Sequence, residues 1–449
     1  MGSREGGDHY RLTVNFSASA DLAHSTEDTV MRGERQMERL LRIVTLVAML
    51  ALIVGSVASC ATPVAPTPEI IKETVVVQQT VVVEVTPEPK EPIIIGTSAP
   101  FTGPIASIGE HIMRALTLAA EELNAEGGIA GHPVRVVACD EDMAVEQAVA
   151  CARRLVEQDK VTLIVGMGFS GAVLAAQPIL EEYNIIDLES TASAAKLTET
   201  TGTAGGNIWF FRIGAHDGMM MAALSDYIAE EVDTISFLIA NTEQGRGLVA
   251  SLQPLLDEKG VEVLSVDYFE TGQPDYRPVI TKIKGLNPEA LFVNHEASDG
   301  NVFIRQYREL GMTAPIFERG SIVSKEFLEL TADDPSLGEG IMGAVHFSDL
   351  LDPEYEQRYL TRWGGPPAAH GLGPYAALRW VLPVAVEMAI QETGEATSSS
   401  IRDALENISV DVPMLGHVEF DEYNQAHPPV KIHQIQNGEI VLLAQVPTE

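Results

Sequence analysis

Two doubly wound α/β lobes with a cleft between them are what the sequence predicts from residue 92 onward, on three observations. Short β-branched runs alternate with amphipathic stretches of helical period, the pattern of parallel strands covered by helices on both faces. The alternation halts near residue 214 and restarts after Asp217, giving two successive units of ~120 residues, each enough for one core. The hydroxyl-bearing residues of the first unit gather just beyond strand ends, where open α/β sheets bind ligands.

In the first unit, strands are expected at 93–97, 134–140, 161–166, 185–189 and 208–214, with helices at 114–124, 145–158 and 172–183. The second unit reads as strands 234–240, 261–269, 290–294 and 315–317 between helices 222–231, 248–259, 276–283 and 302–310. From Ile341 come another strand, helices at 355–363, 375–391 and 401–407, and two strand-like segments. These are too few for a third domain and must complete the two lobes.

The chain before residue 92 is of another kind. Arg35, Arg39 and Arg42 precede an apolar run from Ile43, which ends in small residues and Cys60. That order is a secretory signal, too short and one-sided for a stable membrane span. Val57-Ala58-Ser59-Cys60 resembles the bacterial lipobox, which implies lipidation of Cys60; an ordinary signal peptide with an incidental cysteine is the plainer alternative. Residues 1–30 precede any such signal, so translation is expected to start at Met31 or Met37. Between 61 and 91, Pro63, Pro66, Pro68, Pro87 and Pro89 forbid continuous helix, and Val75–Val77 is echoed by Val81–Val83. A stiff tether fits this segment better than an edge strand.

Composition excludes several classes. Taking the six basic and seven acidic residues of 1–60 from the chain's 29 and 64 leaves 23 Lys and Arg against 57 Asp and Glu. A body near −34 repels phosphate backbones, so nucleic acid is not an expected partner. Cys139 and Cys151 remain once Cys60 is assigned to lipid; a bridge between them and two buried thiols both fit.

Gly166-Met167-Gly168-Phe169-Ser170-Gly171 matches G-x-G-x-x-G, but on the third strand of its unit rather than the first, so no dinucleotide cofactor is expected. The loop still presents helix-start N–H groups and the Ser170 hydroxyl, which suit a carboxylate. Ser170 lacks the second glycine of a nucleophile elbow, Ala172 standing there. His295-Glu296 lacks a second histidine, and His427 with His433 lacks a third ligand. No catalytic group, metal or cofactor is expected. Thr191 and Ser193 close the next strand, on the same sheet edge as Ser170.

An ordered set of stretches resembles the leucine/isoleucine/valine-binding family, the substrate-binding proteins of ABC importers. The set comprises Ala99–Pro104 with Gly109, Glu122–Ile129 with Gly131, Glu146–Val149, Gly166–Ser170, Glu189–Ser193, Gly245–Gly247, Tyr375–Leu378 and Gly416–Asp421. The resemblance implies a type I periplasmic-binding-protein fold: two parallel-sheet lobes joined by a three-stranded hinge and closing on a small solute. It places 92–214 with 343–416 in one lobe and 215–342 with 417–449 in the other. It also implies that Ser170 and Ser193 hold an amino acid's carboxylate, that the Thr191 carbonyl helps hold its ammonium, and that Asp217 faces the cleft.

Other positions depart from the family's amino-acid pattern. The aromatic expected before Gly245 is Gln244, the one after Gly103 appears as Ile108, and the acid expected near Gly320 is replaced, with Arg319 and Glu318 beside it. Phe169, Arg319, Glu296 and His370 complete the expected cleft. The resulting expectation is an exported, lipid-anchored capture subunit for a small carboxylate-bearing solute, a branched-chain or related amino acid, serving a separate permease and ATPase. A ligand sensor of the same fold and a binder of a non-amino-acid carboxylate or amide are the alternatives.

Overall fold

The β-branched runs of the first unit form β1 (Ile93–Ala99), β2 (Val134–Asp140), β3 (Leu163–Met167), β4 (Ile186–Glu189) and β5 (Phe210–Arg212), all parallel in the order β2-β1-β3-β4-β5. The computed structural model describes residues 90–103 and 105–448; Cys60, the expected signal and most of the expected tether lie outside them. Helix α1 (Ala106–Ala125) packs Ile112 and Leu116 on one face of this sheet, and α2 (Val145–Glu157) and α3 (Ser170–Glu182) pack Leu155 and Val173 on the other. Cys139 and Cys151 are paired, with Cα atoms 5.6 Å apart, so the bridge ties the end of β2 to α2.

The second sheet contains β6 (Thr234–Ala240), β7 (Glu262–Phe269), β8 (Ala290–Val293), β9 (Ile316–Glu318) and β10 (Met342–Val345). Two late strands, β13 (Val430–Gln436) and β14 (Glu439–Val446), extend it to the order β14-β13-β10-β9-β8-β6-β7. Its helices are α4 (Asp217–Glu231), α5 (Glu243–Lys259), α6 (Arg277–Leu286), α7 (Ala297–Glu309) and α8 (Lys325–Leu330). This sheet is mixed rather than purely parallel, because β13 is antiparallel to both of its neighbours. The reason is local. Asn437-Gly438, at φ 54° and 76°, makes the two-residue turn that joins antiparallel strands.

The chain crosses between lobes three times, after β5, after β10, and after the small hairpin of β11 (Val410–Val412) and β12 (Gly416–Val418). Two expected boundaries move. Residue 343 lies inside β10, hydrogen-bonded into the second sheet, so the return to the first lobe comes after Val345. Val418 lies in the first lobe's core and Phe420 packs edge-on against Phe211 at 5.1 Å, so the last crossing lies beyond 417. The crossings are knitted together: Gln425 Nε2 donates to the Gly214 carbonyl at 2.9 Å, and Lys431 Nζ donates to the His346, Pro429 and Leu415 carbonyls. Among the described residues no helix is long and apolar enough to cross a membrane.

Helices α1, α5 and α7 start well before their predicted positions. Their first turns carry glycines, which weaken the helical signal. Gly245 is needed because a Cβ there would lie 2.0 Å from the Ala240 carbonyl oxygen at the end of β6. α5 is nevertheless well capped, with the Thr242 hydroxyl accepting the Gly245 N–H at 3.0 Å and Gly260 turning left-handed at φ 83° to end it. After the second crossing come α9 (Pro353–Trp363) and α10 (Ala369–Ala376), which return to pack on the first lobe.

Candidate functional site

The loops beyond the carboxyl ends of β3 and β4 face those beyond β6, β7, β8 and β9 across a cleft of about 770 Å³. Ligands gather there in open α/β sheets because strand ends and helix starts both present unpaired backbone groups. Ser170 is the first residue of α3 and only 3% exposed; its Oγ accepts the Ala194 N–H at 3.3 Å and keeps its own proton to donate. Phe169, just before it, caps nothing with its side chain, so the first amides of α3 are open to an anion.

Eight of the ten residues expected at the site line this cleft: Ile108, Phe169, Ser170, Thr191, Gln244, Glu296, Arg319 and His370. Ser193 and Asp217 do not. Both are fully buried behind Arg319. Arg319 Nε donates to Asp217 Oδ1 at 3.2 Å, and Nη2 donates to Ser193 Oγ. Gln244 turns its amide oxygen to this group, accepting from Ser193 Oγ at 2.8 Å and from Arg319 Nη2 and Nε at 2.9 and 3.1 Å. The Ser193 hydroxyl is thus spent inside the protein, and the guanidinium takes the cleft-facing place that the resemblance gave to Ser193.

Opposite in charge to Arg319, Glu296 stands at the start of α7. Its Oε2 meets His370 Nε2, from α10 of the other lobe, at 2.6 Å. Burial pushes the Glu296 carboxyl up, but His370, Arg319 and the Ser321 hydroxyl together hold it at about 2, so it is ionised at any physiological pH. Burial pulls His370 down, and the adjoining Glu296 outweighs it, leaving His370 above its ordinary value. A second cross-cleft pair, Lys196 with Glu243 at 3.3 Å, is solvent-exposed and contributes little.

Apolar surface fills the space between these groups: Ile105, Ile108, Met143, Phe169 and Leu174 from the first lobe and Phe269 from the second. The second-lobe wall, Asn241 to Gln244, Phe269 to Thr271, and Asn294 with Asp299, was largely missed from sequence. The strand-end rule that found Ser170 would have found it if applied to β6, β7 and β8. Burial raises Asp299 to about 6, against two contacts of 3.1 Å from the Gly272 N–H. Also missed was Glu189, fully buried, whose Oε1 accepts the Ser190, Thr191 and Ala192 N–H groups and whose Oε2 accepts Met167 N–H at 3.2 Å. It shapes the loop carrying Thr191 without reaching the cleft.

Residues 92–439 match the family model described as periplasmic binding protein. The chain belongs to the periplasmic binding protein family. Among curated proteins, an amino acid binding protein of Pseudomonas aeruginosa is 30% identical over 291 residues, 64% of this chain and 76% of that one. A leucine-, isoleucine-, valine-, threonine- and alanine-binding protein of the same organism is 24% identical, covering 74% of this chain and 86% of its own. Among solved structures, a solute-binding protein of an ABC transporter from Rhodopseudomonas palustris BisB5, in complex with 3,4-dihydroxybenzoic acid, aligns with a TM-score of 0.70 at 21% identity, over 80% of this chain and 98% of that one. LivJ of Streptococcus pneumoniae, in complex with isoleucine, aligns with a TM-score of 0.68 at 21% identity, over 78% and 100%. The two-lobed fold of this periplasmic binding protein, with its ligand cleft between largely parallel sheets, is shared with both structures.

Proposed function

We propose that this periplasmic binding protein captures a zwitterionic α-amino acid with an apolar side chain and delivers it to an ABC permease and its ATPase. The observation that carries the reading is the pair of opposite full charges, Arg319 and Glu296, facing one cleft across from the start of α3. The ligand carboxylate would lie between the Ser170 hydroxyl with the α3 amides on one lobe and Arg319 on the other. Its ammonium would be accepted by Glu296, with the Thr191 carbonyl beside it. The side chain would pack on Ile108, Phe169 and Phe269. Such a ligand contacts both lobes and therefore favours their closed arrangement. The protein binds without catalysing; export and lipid attachment at Cys60 would keep it beside its membrane partners.

A thermal-shift series on the full-length protein tests this. L-leucine, L-isoleucine or L-valine should stabilise it, whereas 4-methylpentanoate and leucinamide, each lacking one charge, should not. Ser170→Ala should weaken the amino acid by about 1.5 kcal/mol, roughly tenfold, in calorimetric titration. Equal stabilisation by 4-methylpentanoate or benzoate would remove Glu296 from the ligand and favour a simple carboxylate as cargo.

A further inference from the structure

His370 and Glu296 bring one titratable group from each lobe into contact, and both line the cleft. Glu296 Oε2 is taken by His370, so an ammonium arriving at the same carboxylate would lie close beside the imidazole. Two cations on one half-buried carboxylate repel where water is partly excluded.

We infer that capture of an α-amino acid expels a proton from His370: the ammonium enters as the imidazolium loses its Nδ1 proton to solvent, keeping the charge around Glu296 unchanged. The neutral imidazole retains one N–H to donate to Glu296, so the contact between lobes survives the exchange. This rests on the amino-acid reading above.

The charged surroundings of His370 support exchange rather than coexistence. From the loop after β9, Arg319 adds a further positive charge, and from α8 Glu326 adds a negative one. Glu326 itself faces His111 of α1 at 3.9 Å, and burial with the neighbouring Arg114 holds His111 near 4, so it is neutral. His346, at the second crossing, is buried and held well below its ordinary value, so it is neutral too. Lys325 is already tied to Asp349 at 2.8 Å and Glu356 at 2.7 Å. Of the three histidines here, His370 is the one whose surroundings favour the charged form. Its shift is upward in the free protein, so it is protonated below that raised value and neutral above it. Amino-acid affinity therefore falls as pH falls through the His370 titration, and a ligand bearing only a carboxylate shows the opposite trend.

Calorimetric titration of the full-length protein with L-leucine, in two buffers of different ionisation enthalpy, counts the proton directly. The expected result is release of a substantial fraction of one proton near pH 6.5, with affinity weaker by roughly tenfold or more at pH 5.5 than at pH 7.5. His370→Gln, which keeps a hydrogen bond to Glu296 without a titrating ring, should abolish the release and flatten the profile at whatever affinity it retains. Leucine binding with no proton exchange, or with uptake, overturns the inference and leaves the amino-acid reading standing. If no amino acid binds at any pH while benzoate binds with proton uptake, the reading itself fails and the inference with it.

Discussion

Glu189 in the first lobe and Glu318 in the second are each the last residue of a strand, each fully buried, and each folded back onto the loop that follows. Glu189 accepts four backbone N–H groups, from residues 167, 190, 191 and 192. Glu318 accepts three, from Gly320 at 2.5 Å, Ile322 at 3.1 Å and Val323 at 3.0 Å. Their side-chain company differs. Glu189 has Asp187 two residues before it on its own strand and Glu141 nearby, whereas Glu318 has Arg319 next in the chain. Because backbone amides already satisfy Glu318, the Arg319 guanidinium remains available to Asp217, Ser193 and the cleft. Toward the cleft the first lobe turns the Ser170 hydroxyl and helix-start amides, and the second turns Arg319 and Glu296. Under the proposed function, the first wall would supply hydrogen-bond geometry and the second charge selection.

Deleting each glutamate tests this comparison most severely. A buried donor left without its acceptor costs about 1–3 kcal/mol. Glu189→Ala should therefore lower the unfolding free energy by about 4 kcal/mol or more in urea denaturation, and Glu318→Ala by about 3 kcal/mol. The first lobe's loop is the more dependent on its glutamate by count of amides. A larger loss for Glu318→Ala would show that Arg319, rather than the amides, carries the second lobe's arrangement.

How much of this was legible in sequence follows from which interactions are local. The position of Ser170, Thr191 and Phe169 at the cleft wall was readable because strand ends and helix starts announce themselves within a few residues. The pairing of Cys139 with Cys151 was left open, since it depends on how α2 docks on the end of β2. Ser193 and Asp217 were misplaced because their burial depends on Arg319, more than a hundred residues away. The starts of α1, α5 and α7 were hidden by glycines whose reason lies in close approach to another element; a Cβ at Gly109 would lie 2.4 Å from the Pro100 carbonyl oxygen. In sequence Glu189 is simply the last residue of the strand 185–189, and only its folded neighbours show four amides converging on it.

Asp187 supplies the next largest effect. Both of its oxygens are buried without a hydrogen-bond partner, and burial with the adjoining Glu189 raises it well above the ordinary carboxylate range. Its folded value exceeds its unfolded value, so the native state binds the extra proton, and stability declines as pH rises from the unfolded value through the folded one. Asp187→Asn removes that decline. The variant should be more stable than wild type by about 1–2 kcal/mol at pH 8, with the gain shrinking toward pH 4. A carboxamide left unsatisfied at this position would reverse the sign at acidic pH, where wild-type Asp187 is already neutral. No second-lobe substitution should show this pattern with the same amplitude, because Glu318 has amide donors and Asp187 has none.

Glu141 gives the smallest and most finely placed test of the same contrast. Burial drives it up to about 7, the Ser98 hydroxyl at 2.5 Å opposes the shift, and Glu189 adds to it. Burial likewise drives Glu318 to about 7, opposed by its amides and Arg319. Both folded values lie above the unfolded one, so each contribution is complete below about pH 4 and lost as pH rises through 7. Glu141→Gln should leave the melting temperature at pH 5 nearly unchanged and raise it by a few degrees at pH 8, since the neutral amide needs no proton. A glutamine at position 318 should behave differently: its NH2 group would face either the Gly320 N–H, which Oε2 accepts, or the Ile322 and Val323 N–H groups, which Oε1 accepts, so Glu318→Gln should destabilise at both pH values. Melting curves of the two variants at pH 5 and pH 8 decide the matter. Parallel behaviour would mean that the two lobes hold their buried acids in the same way, whereas opposite signs at pH 8 would show protonation governing one lobe and backbone donors the other.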